Sequence, residues 1–78
     1  MSDVSKAAVT DIRALIHIIR ERRIRAAMTI GQMAETIGVS PGAYSQWEAG
    51  GAFPPSRKLA VACRAVGLRL IVVEGDAP

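Results

Sequence analysis

Apolar residues recur every three or four positions early in the chain, which is the spacing of one face of an amphipathic helix. The residues on this face are Ile12, Leu15, Ile16 and Ile19, with Ile18 and Ile24 widening the stripe. Thr10 or Asp11 offers an N-cap, and arginines gather in the last turns, where positive charge complements the helix dipole. The pattern predicts a first helix over about residues 10–25.

A short second helix is predicted next, because two polar residues have the spacing of a capping box. Thr29 stands three positions before Gln32, ahead of several apolar residues. These signals predict a helix over about residues 30–37. Gly38 follows at the position where a helix commonly ends in a left-handed residue, so the chain is expected to turn there.

A third helix is predicted directly after this glycine. Ser40 offers an N-cap, and Pro41 stands at the first helical position, where its missing N–H removes no hydrogen bond. The helix would run over about residues 41–48. Tyr44 and Trp47 are three positions apart, which places both on one inward face.

A loop and a fourth helix complete the helical part. Residues 50–55 contain two glycines and two prolines, which cannot continue a helix. Ser56 is expected to cap a fourth helix over about residues 57–66, with Gly67 as its end.

The last apolar run has a different pattern and predicts one β-strand over residues 68–74, bounded by glycines. A lone strand leaves its backbone donors and acceptors unpaired, and the sequence offers no other convincing strand. The strand is therefore expected to pair with the same strand of a second copy in a twofold homodimer. The expected dimerisation residues are Leu68, Leu70, Ile71, Val72 and Val73.

Composition narrows the class of protein. The chain has 78 residues, of which 50% are hydrophobic, so it is expected to fold as one small domain. A single His and a single Cys provide neither a disulfide nor a closed zinc site, and no cofactor or metal is expected. No secretory signal or membrane span is recognised, which predicts a soluble, cytoplasmic protein.

The second and third helices, joined through a glycine turn, have the pattern of a helix-turn-helix. The stretch T-I-G-Q-M-A-E-T-I-G-V-S-P-G-A-Y-S-Q-W-E-A-G-G resembles the phage-repressor family of DNA-binding domains, also called the Cro-repressor or XRE family. The resemblance implies a mainly α fold, a four- to five-helix repressor-like domain, to which the predicted strand adds pairing across a homodimer. The expected organisation is a flexible N-terminal arm over 1–9, the DNA-binding domain over 10–67 with its motif at 29–48, the strand over 68–74, and a tail over 75–78.

The resemblance also implies which residues meet double-stranded DNA. The third helix would be the recognition helix in the major groove. Its base-facing positions would be Ser40, Gly42, Ala43, Ser45 and Gln46. The second helix would meet the phosphate backbone through Thr29, Ile30 and Gln32. The charge distribution adds Arg57 and Lys58 at the start of the fourth helix, because residues 26–56 contain no basic side chain. Arg23 and Glu48 would form a structural ion pair, with no catalytic residue in the chain.

These observations predict a transcriptional regulator, and a repressor above all, that binds a palindromic operator as a homodimer in a bacterium or a phage-infected host. Two alternatives stay open. One is the antitoxin of a toxin–antitoxin pair, which would bind its operator and also a toxin. The other is a protein-interaction adaptor that keeps the fold without binding DNA, because residues 26–56 carry only two charged side chains, Glu35 and Glu48.

Overall fold

The computed structural model describes residues 11–71, and within this range the chain forms four helices. They are α1 (Ile12–Arg25), α2 (Ile30–Ile37), α3 (Pro41–Ala49) and α4 (Ser56–Ala65). The mainly helical fold is thereby confirmed, with four helices in the described part. The predicted arm over 1–9 and the predicted tail over 75–78 lie outside the described residues.

α1 begins two residues later than predicted because its cap is Asp11. The Asp11 carboxylate accepts a hydrogen bond from the Ala14 backbone N–H at 2.8 Å. The buried face of α1 consists of Leu15, Ile16 and Ile19, as its periodicity predicts. The predicted apolar stripe is wider than the buried face, since Ile12 is 41% and Ile24 49% exposed.

Local signals fix both ends of α2 and the start of α3. Thr29 and Gln32 form both hydrogen bonds of the predicted capping box, at 2.8 and 3.0 Å. Gly38 ends α2 with φ +88°, a backbone conformation that a side chain disfavours. Ser40 then caps α3 by accepting a hydrogen bond from the Ala43 N–H at 3.1 Å.

The core lies where α2 packs against α3 and α4, with α1 against α3. Ala34 is fully buried, and Tyr44 and Trp47 meet edge to face with ring centroids 5.9 Å apart. An alanine at the centre of α2 lets the neighbouring helices come close. The buried residues are Leu15, Ile16, Ile19, Met33, Ala34, Ile37, Tyr44, Trp47, Leu59, Ala62, Cys63 and Val66.

The N-terminal end of α4 differs from the sequence prediction, whereas the C-terminal end agrees with it. Pro55 is the N-cap, and no side chain caps this helix, so the expected role of Ser56 is wrong. At the other end Gly67 has φ +81° and donates to the Arg64 carbonyl, while the Leu68 N–H donates to the Cys63 carbonyl at 2.8 Å. These two bonds are a Schellman motif, in which Gly67 ends α4 as predicted and Leu68 takes a part that was not predicted.

The predicted strand over 68–74 is not supported in the described residues. Leu68 packs against the core as the closing residue of the α4 cap, and residues 69–71 form no strand. A strand is defined by a ladder of backbone hydrogen bonds, and residues 11–71 of one chain contain no second strand to supply it. Val72 and Val73 lie outside the described residues.

Candidate nucleic-acid interface

The recognition helix expected from the sequence presents small side chains at its first turn. Ser40, Gly42, Ser45 and Gln46 are exposed, and Ala43 is half-buried. The Ser40 hydroxyl oxygen accepts the capping hydrogen bond of α3, so the main role of this residue is to hold the helix start, although its proton and second lone pair stay available. Ser45 and Gln46 are therefore the polar side chains on α3 that are best placed to reach a ligand.

The position of Gln46 depends on the turn that follows α3. A Cβ atom added to Gly51 would overlap the Gln46 side-chain oxygen and lie 3.3 Å from its Cδ. The Gln46 side chain thus lies back over the glycine turn rather than extending along the helix. Gly51 provides the space for it, a dependence that no local sequence signal indicates.

The first turn of α2 carries the residues expected to face phosphate. Gln32 uses its side-chain oxygen to accept from the Thr29 N–H, which orients its amide group, and the hydrogen bonds of the described residues leave the Nε2 donors available. Ile30 is half-buried against the core, so only its backbone remains for a phosphate.

The two basic residues at the start of α4 differ in exposure and in contacts. Arg57 is exposed, whereas Lys58 is half-buried and donates from Nζ to the Ile37 carbonyl at 3.3 Å. A cation at the C-terminal end of α2 satisfies a free carbonyl and complements the helix dipole. Lys58 therefore stabilises the turn between α2 and α3, a contact that sequence reasoning missed.

Arg23 and Glu48, expected to pair, are in direct contact. Arg23 donates to the Glu48 carboxylate from Nε at 2.7 Å and from Nη2 at 3.1 Å, and Tyr44 donates its hydroxyl to the same carboxylate. The side chains of Arg23 and Glu48 are only 11% and 7% exposed. Tyr44 was missed as a member, although its position four residues before Glu48 places both on one helix face.

Opposing effects set the pKa of the Glu48 carboxyl group. Burial raises this pKa. The opposing effects are larger together, namely the hydrogen bonds from Arg23 and Tyr44 and the positive charges of Arg23 and Arg20, so the pKa is lowered overall. The pKa of Arg23 is raised by its hydrogen bond to Glu48, and burial raises the pKa of Tyr44. The carboxylate is accordingly charged and the tyrosine neutral at physiological pH.

Arg23 also reaches the beginning of α2. Its Nη1 donates to the Met28 carbonyl at 2.7 Å, one residue before the Thr29 cap. One guanidinium thus joins α1, the chain leading into α2, and the last turn of α3. We call Arg23, Met28, Tyr44 and Glu48 the arginine clamp. It fixes the N-terminus of α2 relative to α3, which are the two elements expected to meet DNA.

Comparison with known families decides what this arrangement is. A family model described as a helix-turn-helix domain matches residues 14–72, which include nearly all of α1 and the whole of the other three helices. The chain belongs to the helix-turn-helix domain family. No curated protein and no solved structure gave a significant match. Membership implies a DNA-binding unit, and domains of this family typically carry no catalytic activity.

Other findings on the helix-turn-helix domain concern membranes and metals. Among residues 11–71, no helix is both long and apolar enough to span a bilayer. The same residues contain no group of three His, Cys, Asp or Glu side chains arranged to hold a metal ion.

Two arginines of α1 that the sequence analysis did not single out flank the end of α3 in this helix-turn-helix domain. Arg13 lies over the exposed Phe53 ring, 5.8 Å from its centroid, and close to Gly50. Arg20 is half-exposed with Nε 3.8 Å from the Glu48 carboxylate. Together they line a groove of about 140 Å³ between α1 and the turn after α3. Their seven-residue spacing on one helix face was the signal that would have found them.

Proposed function

We propose that the protein is a sequence-specific transcriptional regulator of the phage-repressor type, which acts as a repressor by occupying a palindromic operator as a homodimer. The observation that carries this proposal is the arginine clamp. The clamp joins the chain that leads into α2 to the last turn of α3 through hydrogen bonds of 2.7–3.1 Å, which holds the two helices in a fixed relation. Two helices held rigidly in this way can act together, with α3 inserted into the major groove while α2 contacts the DNA backbone.

Base recognition on this proposal comes from a small set of α3 side chains. Gln46 offers a carbonyl and an amide, which together match the adenine edge with two hydrogen bonds worth about 1–3 kcal/mol of discrimination. Ser45 offers a hydroxyl that suits several bases. Specificity is thus concentrated at the exposed middle of α3, and replacement of Gln46 is expected to weaken preference at one base-pair position per half-site.

Phosphate contacts position the protein without reading sequence. Gln32 offers its free amide donors at the start of α2, and Arg57 offers an exposed guanidinium at the start of α4. Thr29 and Ile30 contribute through the backbone, and Lys58 contributes in addition to its contact with α2. Arg13 and Arg20 add positive charge at the other end of α3.

Dimerisation is supported by exposed apolar side chains at the end of the described chain. Leu70 is 47% exposed and Ile71 is 65% exposed, beyond the glycine cap of α4. Such side chains gain from burial against a partner, and a small domain commonly relies on one. Leu68 closes α4, so the proposed interface is formed by residues that follow it, of which Leu70 and Ile71 are the exposed apolar ones in the described part. Two copies related by a twofold axis would present their α3 helices about 34 Å apart, one turn of DNA.

Binding to duplex DNA at two salt concentrations tests the function. The probe is the DNA upstream of the protein's own gene, labelled and titrated by fluorescence anisotropy, with a random duplex of equal length for comparison. With about six phosphate contacts per dimer, affinity should fall by about 10³ between 50 and 200 mM salt. Equal binding of both duplexes, or no binding at the lower salt, would contradict a sequence-specific regulator.

Matched variants separate the two classes of contact. Gln46→Ala is expected to reduce the preference for the upstream duplex. Arg57→Ala should weaken the affinity for both duplexes equally and reduce the salt dependence of binding. Arg64→Ala is the control, because Arg64 is also an exposed arginine of α4 but lies in the last turn rather than the first. A loss of binding as large for Arg64→Ala as for Arg57→Ala would refute the assigned phosphate surface.

Light scattering of a charged variant tests the dimer. Ile71→Lys places an ammonium in the proposed interface, and its mass should fall from twice 8.3 kDa to 8.3 kDa. Ile12→Lys is the control, since Ile12 is also exposed, at 41%, but lies at the beginning of α1. A wild-type protein that is monomeric at the concentration used for DNA binding would overturn the homodimer.

A further inference from the structure

Phe53 is an aromatic side chain that the core does not use. It lies in the loop between α3 and α4 and is 59% exposed. The other two aromatic residues of the chain, Tyr44 and Trp47, are both buried. A single exposed apolar side chain is common on protein surfaces, so the surroundings of Phe53 decide whether it has a role.

The surface around Phe53 is concave and carries arginines. The Arg13 guanidinium lies 5.8 Å from the centroid of the Phe53 ring, which is a cation–π distance. Arg20 lines the same groove, together with the buried residues Ile16 and Trp47. We call it the Phe53 groove. Aromatic and arginine side chains are enriched where proteins bind one another, so this surface has the composition of a protein interface.

The Phe53 groove has an excess of positive charge. Arg13 is exposed, and no ion pair found among the described residues involves it. Glu48 is the acidic residue that lines the groove, and its carboxylate is already bonded by Arg23 at 2.7 Å. Arg20 is 3.8 Å from that carboxylate, and 45% of its side chain is exposed. The groove therefore offers two guanidinium groups to carboxylates of a partner.

The size of the groove and the spacing of its arginines define the partner further. A cavity of about 150 Å³ holds a benzene ring, so a groove of about 140 Å³ accommodates one aromatic side chain. Arg13 and Arg20 belong to the same helix, and their Cα atoms are about 10 Å apart along its axis. An extended peptide covers about 10 Å in three residues. Two acidic residues three positions apart, with an aromatic residue between them, therefore match the groove.

We propose that the Phe53 groove is a docking surface for an acidic segment of another protein, whose aromatic side chain enters the groove while carboxylates on either side bond to Arg13 and Arg20. This inference goes beyond the proposed function, in which the two arginines contribute only charge. A DNA backbone fits less well, because its phosphates and sugars supply no apolar group to cover the exposed ring. An acidic segment with an aromatic side chain supplies both the charge and the apolar group.

An NMR titration of the isotope-labelled full chain with a synthetic peptide tests the proposal. The probe is G-S-E-F-S-E-S-G with blocked ends, and one control peptide has glutamines for both glutamates, while another has serine for phenylalanine. Backbone amide signals of residues 13–20 and 50–53 should shift, and those of the first turn of α2 should not. Each control peptide should bind about fivefold more weakly or worse, because it lacks one of the two matching features. Absence of any shift at millimolar peptide would overturn the proposal.

Variants of the groove provide the matched comparison. Arg13→Glu and Phe53→Ser should each weaken peptide binding by about fivefold or more, with melting temperatures close to that of wild type because both side chains are exposed. Arg13→Gln is the milder variant if Arg13→Glu does not fold. Arg64→Glu is the control, because Arg64 is an exposed arginine of α4 and its replacement changes the net charge by the same amount. Equal losses for Arg13→Glu and Arg64→Glu would show attraction by net charge alone and overturn the proposal.

Two further results would assign the Phe53 groove to another occupant and overturn the proposal. A random DNA duplex that shifts the groove amides, when the peptide does not, would assign the groove to the DNA backbone. Groove amides that shift with protein concentration alone would assign it to a second copy of the chain. The peptide titration contains no DNA, so its failure is distinguishable from a failure of the DNA-binding function.

Discussion

Removal of the Glu48 carboxylate is expected to destabilise the domain strongly, because three side-chain hydrogen bonds meet there. Glu48→Ala removes two acceptors of Arg23 and the acceptor of Tyr44. Arg23, at 11% side-chain exposure, would keep only the Met28 carbonyl as a partner within the clamp. The substitution leaves a charged donor group and a hydroxyl without acceptors in a largely buried place.

The magnitude follows from these losses. Removing one partner of a buried ion pair costs about 3–5 kcal/mol, and an unsatisfied buried hydroxyl adds about 1–3 kcal/mol. The remaining bond to Met28 and the half-exposed Arg20 nearby reduce the loss, which we place at about 3 kcal/mol. For a domain of this size that loss lowers the melting temperature by about 12–24 °C.

Thermal unfolding followed by circular dichroism measures the effect, and Glu48→Gln provides a milder variant if Glu48→Ala does not fold. Glutamine keeps an oxygen acceptor but no charge, so its loss should be about 1–2 kcal/mol. Glu35→Ala is the control, because Glu35 is an exposed glutamate of the same domain and should change stability by less than about 0.5 kcal/mol. A melting temperature of Glu48→Ala equal to that of Glu35→Ala would refute the reasoning.

Three further predictions concern pH, a turn and a thiol. The pKa of Glu48 is lowered in the folded state, so its contribution to the free energy of unfolding is complete above the ordinary pKa of 4.5 and is lost as the pH falls below that value. The urea midpoint of the wild type should therefore fall below pH 4.5, and the midpoint of Glu48→Gln should fall less. Gly38→Ala should cost about 1–2 kcal/mol in urea unfolding, because φ is +88° there and the new Cβ would lie 3.4 Å from Lys58 Nζ; an unchanged midpoint would contradict this strain. Cys63 is buried and its thiol pKa is raised by burial, so a thiol reagent should label it only as the protein unfolds, whereas rapid labelling of the native protein would contradict the burial.

The helices and the core were predictable because their signals are local. Thr29 with Gln32 and Ser40 with Pro41 mark helix starts through caps that involve residues three positions apart. The apolar period of 3.6 identifies the inward residues of α2 and α3, since a helix can bury only one stripe. The structure has Tyr44 and Trp47 on that inward face.

What could not be predicted depends on contacts between distant parts of the chain. The Lys58 ammonium meets a carbonyl 21 positions earlier, and Arg23 meets Glu48 25 positions later, a pair expected only through the family resemblance. Leu68 was assigned to a strand because β-branched residues follow it, whereas its N–H completes the cap of α4. A strand would need the Leu68 N–H for its own ladder, whereas here this group bonds to α4. A propensity pattern does not show which of the two partners the N–H takes.

The proposed binding to DNA requires that the charge of a motif with two acidic and no basic side chains be compensated from elsewhere in the domain. Of the two acidic residues between positions 26 and 56, Glu48 is the one on α3, and its charge is compensated at contact distance by Arg23 and at 3.8 Å by Arg20. Without that compensation a carboxylate on the recognition helix would repel phosphates within a screening length of about 8 Å. On the proposed function, exposed Arg13 on α1 and Arg57 on α4 would supply the attraction from outside the motif. On the proposed function, the arginine clamp would serve folding and binding together, because the contact that fixes the position of α3 also neutralises its acidic residue.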